Sequence, residues 1–509
     1  MLDLIGGFAN LFSDLEAVGF VFLAAFVGIV AGALPGLTAS AAIAMLLPLS
    51  FHLGALPALA FLYVIGKSGR YGGSIAAILF NTPGTAASAA TMQDGYPMTQ
   101  RGEAGKALKT ATIASVFGDF FGEIILIFGA VYIASYTKTF GPTEYFSIYI
   151  MAFIVIGSVV GKSVIKGILS TLLGAFVALV GLDAISGEPR MTMGFDELQD
   201  GLALVPLLIG VFVISEVIIQ AEKSAKQELV SSDMADVSNK DANHMTWAEF
   251  KRCVPLMIRS SFIGSIIGMM PGLGSSVACF VAYGEEKRRS KFSEKWGTGI
   301  VEGVAAPESA NNAVSGPSMI PLLTLGIPGS TVAAVLIGVF LIHGLQVGPA
   351  IFDSTYSREL IFSLFAAGLL GIVAYGVMGY WGGPLIGRMI AKLPTHMLYP
   401  FIFVTSIAAA YSTRASILDV AIALLFGIVG YCMRRTEFST AAFVIAFVLA
   451  SNTEVAFRQA LLLSDDGVLI FIKEPVAASF LGVGLAVMVF RAVSLNLAKR
   501  KAQKASTGA

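Results

Sequence analysis

Residues 325–330 read LGIPGS, and they lie in the middle of a long apolar stretch. Pro328 and two glycines stand where a membrane-type sequence would be expected to continue a helix. In a helix interior Pro costs about 3 kcal/mol and Gly about 1 kcal/mol relative to Ala. The same Pro-Gly core recurs in FNTPGT (80–85), ALPGLT (33–38) and MMPGLG (269–274). These interruptions need a reason, and the reason decides the fold.

The chain has 509 residues, 56% hydrophobic and 13% charged. Soluble domains average about 25% charged residues, so a bilayer is the better solvent for this composition. Runs such as EIILIFGAVYIASY (123–136) and LLFGIVGYC (424–432) carry few charges. A spanning helix needs about 20 apolar residues, which predicts an all-α, polytopic membrane protein of about 10–14 membrane segments. The period-2 alternation of a membrane barrel is absent. A formal net charge of zero gives no field that would draw nucleic acid. Cys253, Cys279 and Cys432 are scattered, without disulfide or zinc spacing. The N-terminus is acidic and lacks a positive n-region, so no cleavable signal is expected.

The longest polar stretch, 221–252, reads as a cytoplasmic linker. Lys223, Lys226, Lys240, Lys251 and Arg252 favour that side under the positive-inside rule. A basic loop at 284–297, a loop at 92–109 and a basic tail at 499–509 fall on the same side. The acidic segment 183–200 falls outside. Spans are expected near 112–135, 143–160, 165–182 and 200–220, then near 359–379, 398–412, 415–432, 437–452 and 469–491.

Comparing the halves, GALPGLTAS (32–40) matches GMMPGLGSS (268–276), and ILFNTPGTAAS (78–88) matches LTLGIPGSTVA (323–333) in pattern. The order is the same, and the first half begins outside while the second begins inside. That is the inverted-repeat pattern of secondary transporters. The first expected repeat is 1–220, with a transport core at 1–92 and a scaffold at 93–220. The second is 253–498, with a core at 253–350 and a scaffold at 351–498. Paired Pro-Gly breaks then mark broken helices or re-entrant hairpins meeting near the midplane. Irregular backbone survives there only when buried in protein or lining a cavity. Half-helix N-termini at such a place suit an anion, and exposed carbonyls suit Na⁺.

These motifs, with YGGSIAAILFNTPGT (71–85), PESANNAVSG (307–316) and PLLTLGIPGS (321–330), resemble the large membrane subunit of the tripartite tricarboxylate transporters, the TctA family. The resemblance runs in order over nearly the whole chain. It implies a bacterial inner-membrane uptake system driven by Na⁺ or H⁺, with citrate or a related organic carboxylate as substrate. It also implies a periplasmic solute-binding protein and a small membrane subunit of about four spanning helices as partners. No cofactor is implied beyond the coupling ion.

For substrate binding the reading selects Asn81, Thr82, Pro83, Gly84 and Thr85 in the first motif, and Gly326, Pro328, Gly329, Ser330 and Thr331 in its counterpart. The bland alternative for both is a kink whose polar groups only satisfy freed backbone. Asn311 and Asn312 either contact a carboxylate, coordinate an ion or cap a helix. Glu308 either pairs, takes up a proton or sits in a first helical turn. Lys67 is expected to neutralise substrate, because intramembrane charge marks function by default; Arg70 beside it is left open. Gly36, Thr38 and Ser40, with Gly272, Gly274, Ser275 and Ser276, are ion-site candidates; tight packing of small residues is the even alternative. Asp119 and Glu123 share a helix face and serve either a proton relay or a helix contact.

The leading expectation is therefore a transporter, not an enzyme, working by alternating access with an elevator-like slide of the two core regions. The competing expectation is an intramembrane enzyme acting on a lipid-linked substrate. Such enzymes use clustered acids around a divalent metal, and no DxxxD-type cluster stands out. A channel would favour oligomeric pore-lining repeats over internal inverted halves.

Overall fold

The computed structural model describes residues 2–34, 37–159, 163–183, 185–224, 243–391 and 395–507. They form helices almost throughout. In order these are α1 (Leu2–Ser13), α2 (Leu15–Ala33), α3 (Ala39–Leu46), α4 (Ala55–Phe80), α5 (Ser88–Gln100), α6 (Ala104–Thr137), α7 (Pro142–Val159) and α8 (Val164–Val177). After a short β-hairpin pairing Gly181 with Arg190 come α9 (Leu204–Leu208), a π-helical turn (Ile209–Ile214) and α10 (Ser215–Ser224). The second half holds α11 (Trp247–Met269), α12 (Gly274–Arg289), α13 (Val301–Ala313), α14 (Ile320–Leu325), α15 (Thr331–Ile342) and α16 (Thr355–Ala391). It ends with α17 (Thr395–Ser412), α18 (Ile417–Arg435), α19 (Thr440–Leu462), α20 (Ile470–Lys473) and α21 (Pro475–Thr507). Residues 225–242 of the expected linker lie outside the described residues, as do Pro35 and Gly36 of the first Pro-Gly break.

Contacts divide the chain into two compact units, Met1–Ala134 with Val205–Ile428, and Ser135–Leu204 with Val429–Ala509. In the first unit small residues let helices meet backbone to backbone. A Cβ on Gly32 would lie 2.1 Å from the Gly69 carbonyl oxygen, and one on Gly72 would lie 2.3 Å from that of Ile29, so α2 and α4 touch along their length. α11 packs on α13 in the same way, with Gly264 against the Ala310 carbonyl at 2.4 Å. Gly118 and Gly122 of α6 press on Ser309 and Ala313 of α13. Gly368, Gly371 and Gly379 of α16 press on Tyr63, Val64 and Tyr71 of α4. Small residues at helix contacts are how membrane helices gain close packing without a hydrophobic driving force between them.

The second unit gathers α7, α8, α19 and α21. Gly174 of α8 would carry a Cβ only 2.0 Å from the Phe443 carbonyl of α19. Phe146, Phe457 and Phe471 form an aromatic cluster, with centroids 4.4–5.8 Å apart. The hairpin is pinned to α19 by charge. Arg458 holds Asp183 at 2.7 Å and Glu454 at 2.6 Å, while Arg190 holds Glu454 at 2.8 Å.

Eight helices among the described residues are long and apolar enough to cross a membrane, and five shorter helices are apolar. Their outer faces are oily. On α16 the exposed side chains Val373, Val377, Trp381, Leu385 and Met389 recur every four residues, one continuous stripe. The expected spans at 112–135, 143–160, 165–182 and 359–379 overlap α6, α7, α8 and α16. The expected loop at 92–109 is a correction: α5 runs to Gln100 and α6 begins at Ala104, with Asp94 fully buried. The stretch is polar in composition, yet polar groups such as Asp94 and Thr99 are satisfied inside the protein.

Candidate functional site

The Pro-Gly breaks are the connections between helices, and in the first unit they lie together. The turn 81–87 links α4 to α5, and the turn 326–330 links α14 to α15. The two motifs have the same local geometry. Asn81 caps the C-terminus of α4 in the left-handed region at φ 53°, and Gly326 does so for α14 at φ 73°. Asn and Gly are the residues that tolerate that conformation. Four residues on, Thr85 accepts from the Ser88 N–H at 3.2 Å and Ser330 accepts from the Ala333 N–H at 3.1 Å. Between them, a Cβ on Gly84 would lie 2.6 Å from the Gly32 carbonyl, and one on Gly329 would lie 2.6 Å from that of Ser318. Only glycine permits either approach.

Three contacts join the breaks. Gly84 rests on Gly32 at the end of α2, next to the first break. Ser40 meets Thr331 at 2.7 Å, bringing together the N-termini of α3 and α15. The Gly272 N–H donates to the Gly329 carbonyl at 3.3 Å. Thr38 caps α3 through the Ala41 N–H. Its counterpart Gly274 instead takes a left-handed φ of 68° and no side chain caps α12. Ser275 and Ser276 are half-buried; Asn81, Thr82 and Pro83 are exposed, while Pro328 is buried. The ion-site candidate Gly36 lies outside the described residues.

Lys67 does not stand free. It is fully buried and holds Asp119 at 2.6 Å and Glu123 at 2.8 Å. Tyr63 donates to Glu123 at 2.8 Å and Tyr375 donates to Asp119 at 3.2 Å. The two acids share the α6 face expected from their spacing, and the ammonium between them is neutralised within the protein. Arg70, one turn further along α4, is the contrasting case. It is 9% exposed, its Nε has no partner, and among the described residues it makes no ion pair. The neighbouring Gly69 packs on Ala39, and Gly73 packs on Thr85, so Arg70 stands at the level of the breaks.

A second polar cluster surrounds Glu308. This residue is fully buried in the middle of α13, not in a first turn. Ser74 of α4 and Thr91 of α5 each donate to it at 2.5 Å, and Ser115 of α6 donates at 2.9 Å. Asn312 donates to Ser115 at 2.9 Å and to the Glu308 carbonyl at 3.1 Å. Asn311 is buried with neither side-chain atom partnered. The position of α13 is fixed by Asp94 of α5. It accepts from the N–H groups of Gly297, Gly299 and Ile300 and from the Tyr283 hydroxyl. Ser74, Thr91, Ser115 and Asp94 were not singled out in the sequence. Their only signal there is a polar residue inside an apolar helix.

An oily exterior around a buried, paired and hydroxyl-lined polar interior inverts the soluble plan and defines a multi-pass α-helical membrane protein. The chain belongs to the tripartite tricarboxylate transporter TctA family, whose model matches residues 18–445. It is 34% identical over 506 residues, 98% of each chain, to an Agrobacterium vitis protein described as an uncharacterized 52.8 kDa protein in the TAR-I ttuC' 3' region. A second protein of that organism, described as uncharacterized in the TAR-II ttuC' 3' region, is 36% identical over 239 residues, 47% of this chain and 97% of its own. No solved structure matches the chain.

Proposed function

We propose that this chain is the large transmembrane subunit of a solute-binding-protein-dependent secondary transporter that imports a tricarboxylate or related organic carboxylate. The observation that carries the reading is the meeting of the breaks, where the capped N-termini of α3 and α15 converge. Helix N-termini favour anions. Arg70 supplies the positive charge that Lys67 has already given to Asp119 and Glu123. Asn81, Thr82, Thr85, Ser330 and Thr331 then offer polar groups to the substrate. Asn311 and Asn312 stand on α13 beside Glu308.

The two halves support an inverted repeat. Setting α2 to α6 against α11, α12, α13–α14, α15 and α16, several cross-contacts have reciprocals. α3 packs on α15 as α12 packs on α5, and α6 packs on α13 as α16 packs on α4. A two-fold relation produces such swapped pairs. Within it, 1–92 and 253–350 form the transport core, and alternating access is an elevator-like displacement of that core, driven by Na⁺ or H⁺. The protein works in a bacterial inner membrane with its C-terminus cytoplasmic, together with a small membrane subunit and a periplasmic binding protein.

Counterflow in proteoliposomes tests the reading. Preloaded citrate or another organic acid should accelerate uptake of the labelled acid, and Asn81→Ala should weaken that uptake while leaving the protein folded. Wild-type kinetics in Asn81→Ala and Arg70→Gln together would remove the breaks from the substrate path.

A further inference from the structure

The charges buried in the first unit do not balance locally. Lys67 is committed to two carboxylates, and Asp94 is held by backbone N–H groups and a phenol. Glu308 is fully buried, and among the described residues no cation lies within ion-pair distance of it. Its three hydrogen bonds come from hydroxyls, which satisfy its lone pairs but bring no positive charge. An ionised carboxylate in that setting is costly without a counter-charge.

A second observation points the same way. The Asn312 amide nitrogen faces two acceptors, the Ser115 oxygen and the Glu308 carbonyl, which fixes the orientation of the amide. Its Oδ1 is left in the same cluster, buried and without a donor. Asn311, the adjoining residue, also leaves its Oδ1 without a donor. Orphan acceptors beside an uncompensated carboxylate call for a positive species. The available donors are one carboxylate, three hydroxyl oxygens and amide oxygens, all hard. One negative charge among neutral oxygens matches a single positive charge. A divalent ion would normally bring more carboxylates, and no group of three His, Cys, Asp or Glu occurs among the described residues.

We propose that Glu308, with Ser74, Thr91, Ser115 and Asn312, forms a binding site for a monovalent metal cation. Four helices, α4, α5, α6 and α13, each contribute to it, so occupancy ties them together. The site adjoins the first Pro-Gly turn, because Ser74 follows Gly73, whose carbonyl accepts from the Gly84 N–H; its ligands are side-chain oxygens, not carbonyls of the turn. It stands independently of where the organic anion binds.

The test uses the full-length protein in detergent micelles, with choline chloride replaced by NaCl at constant pH and ionic strength. Thermal unfolding and equilibrium binding of radioactive Na⁺ are both read, with KCl and LiCl as parallel probes. The wild type should melt later as metal rises and bind the ion saturably. Glu308→Gln should abolish both effects, and Thr91→Val should weaken binding by about 10–100-fold. Asp466→Asn, an exposed position in the second unit, should match the wild type. Should Glu308→Gln not fold, Thr91→Val and Ser74→Ala carry the comparison. The proposal is overturned if none of the three metals stabilises the wild type, if Glu308→Gln or the two hydroxyl variants bind Na⁺ as the wild type does, or if stabilisation follows pH alone.

Discussion

Replacing Lys67 with Met separates a structural cation from a substrate-binding one. The ammonium lies 2.6 Å from Asp119 and 2.8 Å from Glu123, and all three side chains are fully buried. At an effective dielectric near 20, each contact corresponds to about 6 kcal/mol of Coulomb attraction before desolvation is subtracted. Breaking one buried pair costs about 3–5 kcal/mol in practice, because the stranded partner stays buried and charged. Here two carboxylates are stranded at once, so the loss should reach the top of that range, about 5 kcal/mol. The triple variant Lys67→Met, Asp119→Asn, Glu123→Gln removes every charge and should recover most of the loss. Thermal unfolding of the purified protein in detergent measures both. Carboxylate affinity in the triple variant should stay near wild type. Arg70→Gln should lose about 1.5–3 kcal/mol of binding, the worth of hydrogen bonds to a charged group. The reasoning fails if Lys67→Met is as stable as the wild type, or if the neutral triple variant is less stable than the single one.

Other expectations follow from geometry. Gly118→Ala places a methyl 2.1 Å from the Ser309 carbonyl and should cost about 1–3 kcal/mol by melting; an unchanged melting temperature would refute the α6–α13 contact. Ser40→Cys with Thr331→Cys, made without Cys432, should form a disulfide on mild oxidation that reductant reverses. Absence of the crosslink by mass spectrometry would separate the breaks. The N–H groups of Ser186 and Ile185, then Arg458, hold the Asp183 carboxyl below its usual range. A folded value below the unfolded one gives stability that is complete above the unfolded carboxylate range and is lost as pH falls through the lower folded value. Amide protection in the hairpin, corrected for the intrinsic pH dependence of exchange, should therefore hold at pH 5 and fall only in stronger acid, and Asp183→Asn should be less protected at neutral pH.

Much of this was legible in the residues. The Pro-Gly pairs located the turns because Pro and Gly act locally, and the motif order paired two turns, 81–87 and 326–330, that share one local geometry. Apolar runs located α6, α7 and α16 because length and hydropathy suffice for a helix in lipid. The i, i+4 spacing placed Asp119 and Glu123 on one face. What that spacing lacked was the partner, since Lys67 lies 52 residues away and only packing brings it between them. The roles of Lys67 and Arg70 were unreadable for the same reason: two cations on one helix differ only in what the opposing helices present. Asp94 hid in a segment of loop-like composition, and Ser74, Thr91 and Ser115 became a set only when Glu308 joined them.

The burial of α4 has a consequence for how the protein is made. Every residue from Pro57 through Ile78 is enclosed by other helices, including two cations and several hydroxyls. α2 and α5 flank it from close by in the chain, but α13 and α16, which complete the enclosure, lie more than two hundred residues downstream. During synthesis this segment leaves the ribosome with α2 already made but long before α13 and α16 exist, and lipid is a poor resting place for the faces they cover. It must wait, near the translocon or beside a chaperone, until the second half arrives to wrap it.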